Sequence, residues 1–595
     1  MKKFLIYISI LMLSIFAIFL YPRKITHAVF IQSSGADSIM YIEGKAKKVK
    51  IPNLAYKKYT VVNFRYNILG IFDLKEVSSL RNRIMIKNSN SYELEALGST
   101  ALSKSPVYYK IDKNDNLTSA TARDIIVGKT NVISFIHKNK LKTFIIHPID
   151  YSNTRIGIST TNFESIYHNN LELTSTSSFN LYSLIDKSSL RIPEGSTLTA
   201  HIDNGELNIS IGSFKKTFTE RIYLQGKSFT INNIIRGVPK FNPTYDGILE
   251  LYPTKSGIIL INEVSLENYL TKVVPSEMPS WGGLESLKCQ AIAARTYAIS
   301  DMLGNRYSNL GFYVDDSTKS QVYNNTNPLE LPNRAIEETK GLIMTFQNKP
   351  IDAKYYSTSP GTGVNYKDIW FNSDDTSDYK PYLQTSNYLD DGLPLPNSEQ
   401  SWLEFYKNNE IKSFDNKSPY YRWKLSFSKE TLEKNLNINL NKIYKSAPEY
   451  ISIYKNTKSK KKLKKLPKEL KNLNSIEVLQ RSAGGNLLEI SFIFDNSIVN
   501  IKKDSYIRRV FSNSSNIDKV DIIQHTGKIL ENWSTLPASF FSLERTDNTF
   551  TIYGGGYGHG VGMSQYGAMY LSQNKKDYKS ILNTYYKDID IKYIY

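Results

Sequence analysis

Apolar and polar residues alternate with a period near two along most of the first 262 positions. Stretches such as Tyr59-Thr60-Val61-Val62-Asn63-Phe64 and Lys142-Thr143-Phe144-Ile145-Ile146-His147 are short and are separated by clusters of Asn, Gly, Ser and Lys. That pattern predicts strands with one buried face, and hence a small β-rich domain over 29–150. A second β-rich part is predicted over 151–262, with strands at Ser189–Ile192, Leu207–Ile211 and Gly247–Tyr252 and with Gly and Pro in the turns. At Ser265 the period changes to that of a helix. Ser265 is a candidate N-cap for Leu266-Glu267-Asn268-Tyr269-Leu270, and a longer helix is predicted from about Leu284 to Met302, with Gly304 past its end. Leu284, Leu287, Ala291, Ala294 and Ala298 form a narrow stripe of mostly small side chains that admits a close neighbour. Between the two helices, Pro275 and Pro279 are predicted to break the first one and to hold Glu277 in a stiff non-helical corner. Beyond Gln321 strands and loops mix again. The fold class is therefore α+β: a β-rich N-terminal region, then a mixed domain over 263–386 and 505–595, with 387–504 as an insertion or accessory subdomain.

The first 28 residues set the compartment. Lys2 and Lys3 precede an uncharged apolar run from Phe4 to Tyr21, and Arg23 and Lys24 follow it. A run of this length is near the minimum for spanning a bilayer and longer than the core of a cleaved signal, which favours an uncleaved anchor. Thr26-His27-Ala28 is a passable cleavage site, so a secreted or wall-associated product stays open. Export removes the nucleic-acid reading of the net charge of +19 and leaves anionic lipid or wall polymers as its partners. The one cysteine, Cys289, excludes an intrachain disulfide, and no cysteine follows the apolar run to accept a lipid. The lysine-dense stretch Lys455–Lys471, broken by Pro467, reads as a solvated face or as an anionic-polymer contact.

Two segments carry the candidate chemistry. One joins Val274-Pro275-Ser276-Glu277-Met278-Pro279 to Leu287-Lys288-Cys289-Gln290-Ala291-Ile292-Ala293-Ala294-Arg295-Thr296-Tyr297-Ala298. The other is the glycine-rich run Gly554-Gly555-Gly556-Tyr557-Gly558-His559-Gly560-Val561-Gly562-Met563-Ser564-Gln565-Tyr566-Gly567-Ala568. Together with Glu338-Thr339-Lys340-Gly341 they resemble the stage II sporulation protein D and LytB family of bacterial cell-wall proteins. The resemblance covers about Leu249 to the C-terminus, with a long variable insertion. It implies that Glu277 is the catalytic acid/base of a lytic transglycosylase acting on peptidoglycan glycan strands, with strands stripped of peptides as a preferred form. LytB-type relatives imply an alternative, a non-catalytic enhancer of a cell-wall amidase.

The residue chemistry agrees with the first reading. Glycosidic cleavage needs a protonated carboxyl beside the leaving oxygen, and hydrolases add a second carboxylate. This corner offers no obvious second one, since Glu285 falls in the first turn of the next helix. A single carboxyl suffices when the sugar's own C6 hydroxyl attacks and yields a 1,6-anhydro end. Met278, Trp281 and the prolines are candidates for desolvating Glu277. Arg295 and Tyr297 are candidates for orienting the carboxyl or binding sugar, or for structural partners inside the helix. His559, Ser564 and Gln565 suit sugar hydroxyls on a thin backbone, or else a packing turn against the alanine stripe. Where some family members carry a Cys/His/Cys metal pattern before a Gln-Val-Tyr, this chain has Asp315-Asp316-Ser317-Thr318-Lys319-Ser320-Gln321-Val322-Tyr323, so no zinc site and no cofactor are expected. Tyr356-Ser357-Thr358-Ser359-Pro360-Gly361 also departs from the family's serine-rich turn, with tyrosine where members often carry histidine.

Overall fold

The computed structural model describes residues 2–34, 37–50, 56–324, 329–457, 460–515 and 517–594. Its helices are α1 (Lys2–Leu20), α2 (Leu266–Glu277), α3 (Leu284–Gly304), α4 (Glu330–Glu338), α5 (Glu399–Lys407), α6 (Lys429–Ser446), α7 (Asp504–Val510), α8 (Gln565–Gln573) and α9 (Tyr578–Tyr585). Helix α1 covers the apolar N-terminal run. Several of that run's side chains lie outside the described residues, among which no helix is long and apolar enough to cross a membrane. The chain divides into two compact units, one made of 1–269 with 301–326 and the other of 270–300 with 327–595.

The first unit is built from strands, as its two-residue period requires. A five-stranded sheet spans Arg23–Glu76 and a seven-stranded one Ser79–Ile146, and an eleven-stranded sheet contains Asn153–Ile158, Thr244–Thr254 and Gly257–Ser265 as neighbours or next neighbours. The strand Val61–Asn67 is buried on both faces at its start, Val61 packing into one apolar cluster and Val62 and Phe64 into another. Ser189–Ile192, Glu206–Ile211 and Thr244–Thr254 lie where the alternation places them.

A buried charge network ties strands of different sheets inside this unit. Arg155 reaches Glu250 at 2.6 Å and Glu263 at 2.5 Å, Arg83 reaches Glu263 at 2.9 Å and Glu95 at 2.5 Å, and Arg221 joins Glu93 at 2.5 Å and also pairs with Glu250. Arg83, Glu93 and Glu95 come from the 29–150 stretch, the others from 151–262 or its edge, so these two stretches share one electrostatic core. Burial alone would raise the Glu250 carboxyl, but Arg155 and Arg221 outweigh it and hold it below the usual carboxylate range.

In the second unit, Trp423–Ser428 pairs with Thr549–Gly554, which pairs in turn with Phe541–Thr546, so the stretch after α5 is stitched into the strand that leads to the glycine-rich run. A four-stranded sheet over Ile451–Lys455, Leu473–Arg481, Leu487–Phe494 and Ser497–Lys502 packs with α6 and α7 around one apolar cluster that includes Leu432, Leu436, Leu440, Phe492, Ile507 and Phe511. In the lysine-dense stretch Leu463, Leu466 and Leu470 face that cluster, while Lys461, Lys462, Lys464, Lys465 and Lys468 are exposed.

Because Glu250 is shared by two buried guanidinium groups, Glu250→Gln leaves cations without their counter-charge and should cost about 3–5 kcal/mol of stability, read from urea unfolding of the first unit's transition. A depressed carboxyl stabilises above its unfolded pKa and loses that contribution as pH falls through its folded one. The wild-type advantage over Glu250→Gln should therefore shrink on acidification. An advantage unchanged between neutral and acid pH would show that the network is not electrostatically coupled to folding.

Candidate functional site

The site is built from the second unit. The prolines do not break the helix before Glu277: α2 runs through Pro275 and ends on Glu277 itself. Val273 and Val274 are fully buried, so packing overrides the local bias of a residue that precedes proline. The last turn is closed by Ser276 Oγ donating to the Lys272 carbonyl at 2.7 Å and by Met278 N–H donating to the Val274 carbonyl at 2.9 Å. Pro279 then stops the helix and leads into a single turn, Ser280–Gly282. Glu277 is half-buried at this end. Met278 is fully buried beside it, and Trp281 is 58% exposed.

Helix α3 is not striped. Every residue from Cys289 to Ile299 is buried, because small side chains let structure approach from all sides. Of the roles expected for Arg295, its burial favours an internal one over a surface contact with sugar: it is 0% exposed and donates from Nη1 to the Leu342 carbonyl at 3.0 Å. Such a side chain satisfies a backbone acceptor inside the fold and has no surface to offer a sugar. Tyr297 is likewise buried, its ring 6.5 Å from that of Tyr355 and under the Lys354 ammonium at 4.6 Å. Gln290, which sequence reasoning passed over, is buried and faces the glycine-rich run.

That run is threaded against Lys354–Pro360. Tyr355–Tyr356 pairs in parallel with Met563–Ser564, and Thr358 bridges Tyr557. At Gly562 (φ 76°) a β carbon would lie 2.0 Å from the Lys354 carbonyl oxygen, so only glycine fits. His559 Nδ1 accepts from Val561 N–H at 3.1 Å, and its ring packs against Tyr356 (5.5 Å) and Trp370 (4.9 Å). Burial, with Lys354 and Arg508 nearby, pushes its pKa down to about 3, so it is a neutral imidazole. Ser564 is fully buried: its hydroxyl donates to Asp415, accepts from Gly567 N–H at 3.3 Å, and caps α8. Both hydrogen-bonding directions of this hydroxyl serve the fold, which is the packing role that was the alternative to a sugar contact. Asp415 lies in a polar turn that carried no signal in the sequence. Its Oδ1 accepts from Ser359 N–H at 2.9 Å as well as from Ser564, and burial pushes its carboxyl up to about 7.

Capping by Ser564 sets the first residue of α8, and that residue is Gln565. Its Nε2 lies 3.3 Å from Glu277 Oε2 and 3.4 Å from Gln290 Oε1, joining segments 288 residues apart. The turn after Glu277 is clamped on α8 as well, where a β carbon on Gly282 would meet Met569 at 2.4 Å and Gln573 Nε2 donates to the Trp281 carbonyl at 3.4 Å. Glu285 is occupied elsewhere. Its Oε2 accepts from Tyr578 N–H at 2.8 Å at the start of α9, and its Oε1 pairs with Lys288 at 2.7 Å. What converges is the half-buried Glu277 carboxyl and the Gln565 amide, with the Gln290 amide behind it. That arrangement can move one proton to and from a bound oxygen.

A family model described as a stage II sporulation protein matches residues 254–346, the segment that carries Glu277 and Gln290, and a domain of unknown function matches 449–562. The chain is 27% identical over 346 residues to stage II sporulation protein D of Bacillus amyloliquefaciens, covering 56% of this chain and 75% of that protein. It is 29% identical over 365 residues to an uncharacterized protein of Brachyspira hyodysenteriae, covering 61% and 74%, and 26% identical over 332 residues to an amidase enhancer of Bacillus subtilis, covering 53% and 39%. With its Pro-Ser-Glu-Met-Pro corner, its alanine-rich helix and its glycine-rich run, the chain carries a stage II sporulation protein segment over 254–346 and is similar, across more than half its length, to stage II sporulation protein D and to an amidase enhancer.

Proposed function

We propose that this protein is a membrane-anchored lytic transglycosylase that cuts the glycan strands of the bacterial cell wall, with Glu277 as its single acid/base. The observation that carries this reading is the contact of Gln565 with the Glu277 carboxyl. It fixes one carboxyl at an accessible helix end, while Glu285 is committed to α9 and Asp415 is fully buried. In the first step Glu277 gives its proton to the glycosidic oxygen as the C1–O bond breaks. In the second the same carboxylate takes the proton of the C6 hydroxyl as that oxygen bonds to C1, so the strand ends in a 1,6-anhydro sugar and no water is consumed. Positioned proton transfer of this kind contributes about 10²–10⁴-fold. Gln565 orients the carboxyl through a neutral amide, and Gln290 holds Gln565 in turn.

The likeness to an amidase enhancer favours a second reading, in which the chain stimulates a wall amidase and cuts nothing itself. The two differ in their product. A purified chain that releases 1,6-anhydro ends from peptidoglycan is the lyase, and one that only accelerates an added amidase is the enhancer.

Glu277→Gln should lower release of 1,6-anhydro products by at least about a hundredfold while leaving the thermal midpoint within a few degrees. Turnover at the wild-type rate would remove Glu277 from the chemistry. Gln565→Ala should lower kcat by about tenfold, because the carboxyl loses its orienting partner; an effect confined to stability would make Gln565 a packing residue only. For the anchor, the apolar run from Phe4 to Tyr21 between Lys3 and Arg23 should keep the protein in the membrane fraction with its original N-terminus. A mature chain that begins near Val29 would show export with cleavage instead.

A further inference from the structure

The hairpin formed by the strands Val61–Asn67 and Gly70–Glu76 pairs Asn67 with Gly70 and turns through two residues, Ile68 and Leu69. Turns this short draw on Asn, Asp and Gly, which suit both the backbone and water. Here the turn is aliphatic and open: Ile68 is 50% and Leu69 79% exposed, and Phe72 on the returning strand is 40% exposed. Ile71 and Leu74 of that strand pack on the cluster that holds Val62 and Phe64. The fold fills this cluster without Ile68, Leu69 and Phe72, which stand together as an apolar patch in water.

The patch is tied to the end of α1. Ile68 N–H donates to the Phe19 carbonyl at 3.3 Å and Asn67 Nδ2 to the Leu20 carbonyl at 3.0 Å, so the hairpin takes up carbonyls that the last turn of a helix leaves without intrahelical partners. Asn67 Oδ1 accepts from Leu69 N–H at 2.9 Å, which fixes the turn itself. Only Tyr21 and Pro22 separate α1 from the strand Arg23–Ser34, which pairs with the hairpin through Arg23 opposite Tyr66 and Lys24 opposite Arg65. Phe16, Ile18, Phe19 and Tyr21 are each more than half exposed. The close of α1 and the hairpin tip thus make one apolar surface at an end of the five-stranded sheet, and the exposed Arg23, Lys24 and Arg65 lie one step back along the strands.

We infer that the Ile68-Leu69 tip is a lipid-binding loop that enters the boundary of the bilayer beside α1, with Ile68 and Leu69 at the edge of the hydrocarbon and Phe72, Arg23, Lys24 and Arg65 at the level of the headgroups. The depth follows from the bonding. A residue whose N–H is bonded to the Phe19 carbonyl lies at the level of Phe19, so where the end of the apolar run is immersed the tip is immersed with it. Aliphatic groups below, with an aromatic ring and cations above, are the layering that the interface between hydrocarbon and headgroups selects. A helix alone is one point of attachment. The tip supplies a second and sets which end of the sheet faces the membrane. The inference rests on the anchor reading of the run from Phe4 to Tyr21 and is independent of the chemistry at Glu277.

The experiment uses the full chain with Leu69→Cys or, at the opposite end of the hairpin, Glu76→Cys, each labelled with an environment-sensitive fluorophore. Cys289 is fully buried, so the introduced thiol takes the label. Both residues replaced are exposed, and thermal midpoints equal to that of the parent confirm that each variant is folded. The chains are reconstituted into vesicles of phosphatidylcholine and phosphatidylglycerol in which part of the lipid bears a nitroxide quencher just below the headgroup. The two sites stand on the order of 20 Å apart along the strand, so quenching at Leu69→Cys should exceed that at Glu76→Cys by at least about threefold. The emission of the Leu69→Cys label should shift to the blue on reconstitution, and that of Glu76→Cys should stay at its value in water. Equal quenching at the two sites, in chains that sediment with the vesicles, overturns the inference and leaves the anchor in place, as does a Leu69→Cys label that emits as in water. A chain that stays in the supernatant overturns the anchor reading and the inference with it. No glycan is present, so the acid/base assignment of Glu277 stands or falls separately.

Discussion

At Gly562 two backbones pass with no space between them for a side chain, the Lys354 carbonyl oxygen standing 2.0 Å from where a β carbon would be. The rest of the site depends on that passage. It lets Met563–Ser564 pair in parallel with Tyr355–Tyr356, which fixes where Ser564 stands. Ser564 caps α8, and the cap sets the rotation of Gln565 toward Glu277. A glycine in such a conformation loses more chain entropy on folding than any other residue. Here the loss is offset locally, because the flanking Val561 and Met563 are fully buried and Ser564 is bonded to Asp415.

Asp415 shows how tightly that junction is drawn. One of its oxygens accepts from a backbone N–H of the serine-rich turn and from the hydroxyl that caps α8, so a single carboxyl joins both sides of the passage. Among the described residues no ion pair to it is found, and burial moves it toward neutrality. The first unit solves a similar problem in the opposite way, surrounding Glu250 with guanidinium groups. Buried ion pairs of that type add little net stability over apolar packing but are costly to break, which suits a network that sets which strands are neighbours.

Much of this was legible in the sequence, and for physical reasons. The two-residue period in Leu198–Asp203, where Leu198 and Ala200 are buried and Thr199 and His201 exposed, is a direct consequence of one buried strand face. The alanines of α3 announced close packing, and the density of glycine from Gly554 to Gly567 announced a backbone pressed on backbone. What the sequence left hidden was which polar side chains point outward. Arg295, Tyr297 and Ser564 stand in the right motif and have the right chemistry, yet each is buried, and Arg295 and Ser564 give their hydrogen bonds to the fold. Residue type tells that a polar group needs a partner, not whether the partner is a carbonyl or a ligand. Asp415 was hidden for the complementary reason, since Ser413-Phe414-Asp415-Asn416 reads as an ordinary turn until the glycine-rich run is laid beside it. Pro275 misled because local bias against helix is small compared with the burial of Val273 and Val274.

The choice of glutamine at position 565 bears on the chemistry itself. An arginine there would bring a full positive charge within hydrogen-bonding reach of Glu277, and the Glu250 site shows the result: a carboxyl held ionised even when fully buried. A residue that must give up a proton and then take one back is poorly served by a partner that binds only its charged form. An amide can orient the carboxyl through one oxygen while adding no net charge, and Gln290 braces that amide with a second neutral group. The amide and the guanidinium groups thus do different work, the one orienting a carboxyl whose proposed role requires both protonation states and the others holding Glu250 ionised.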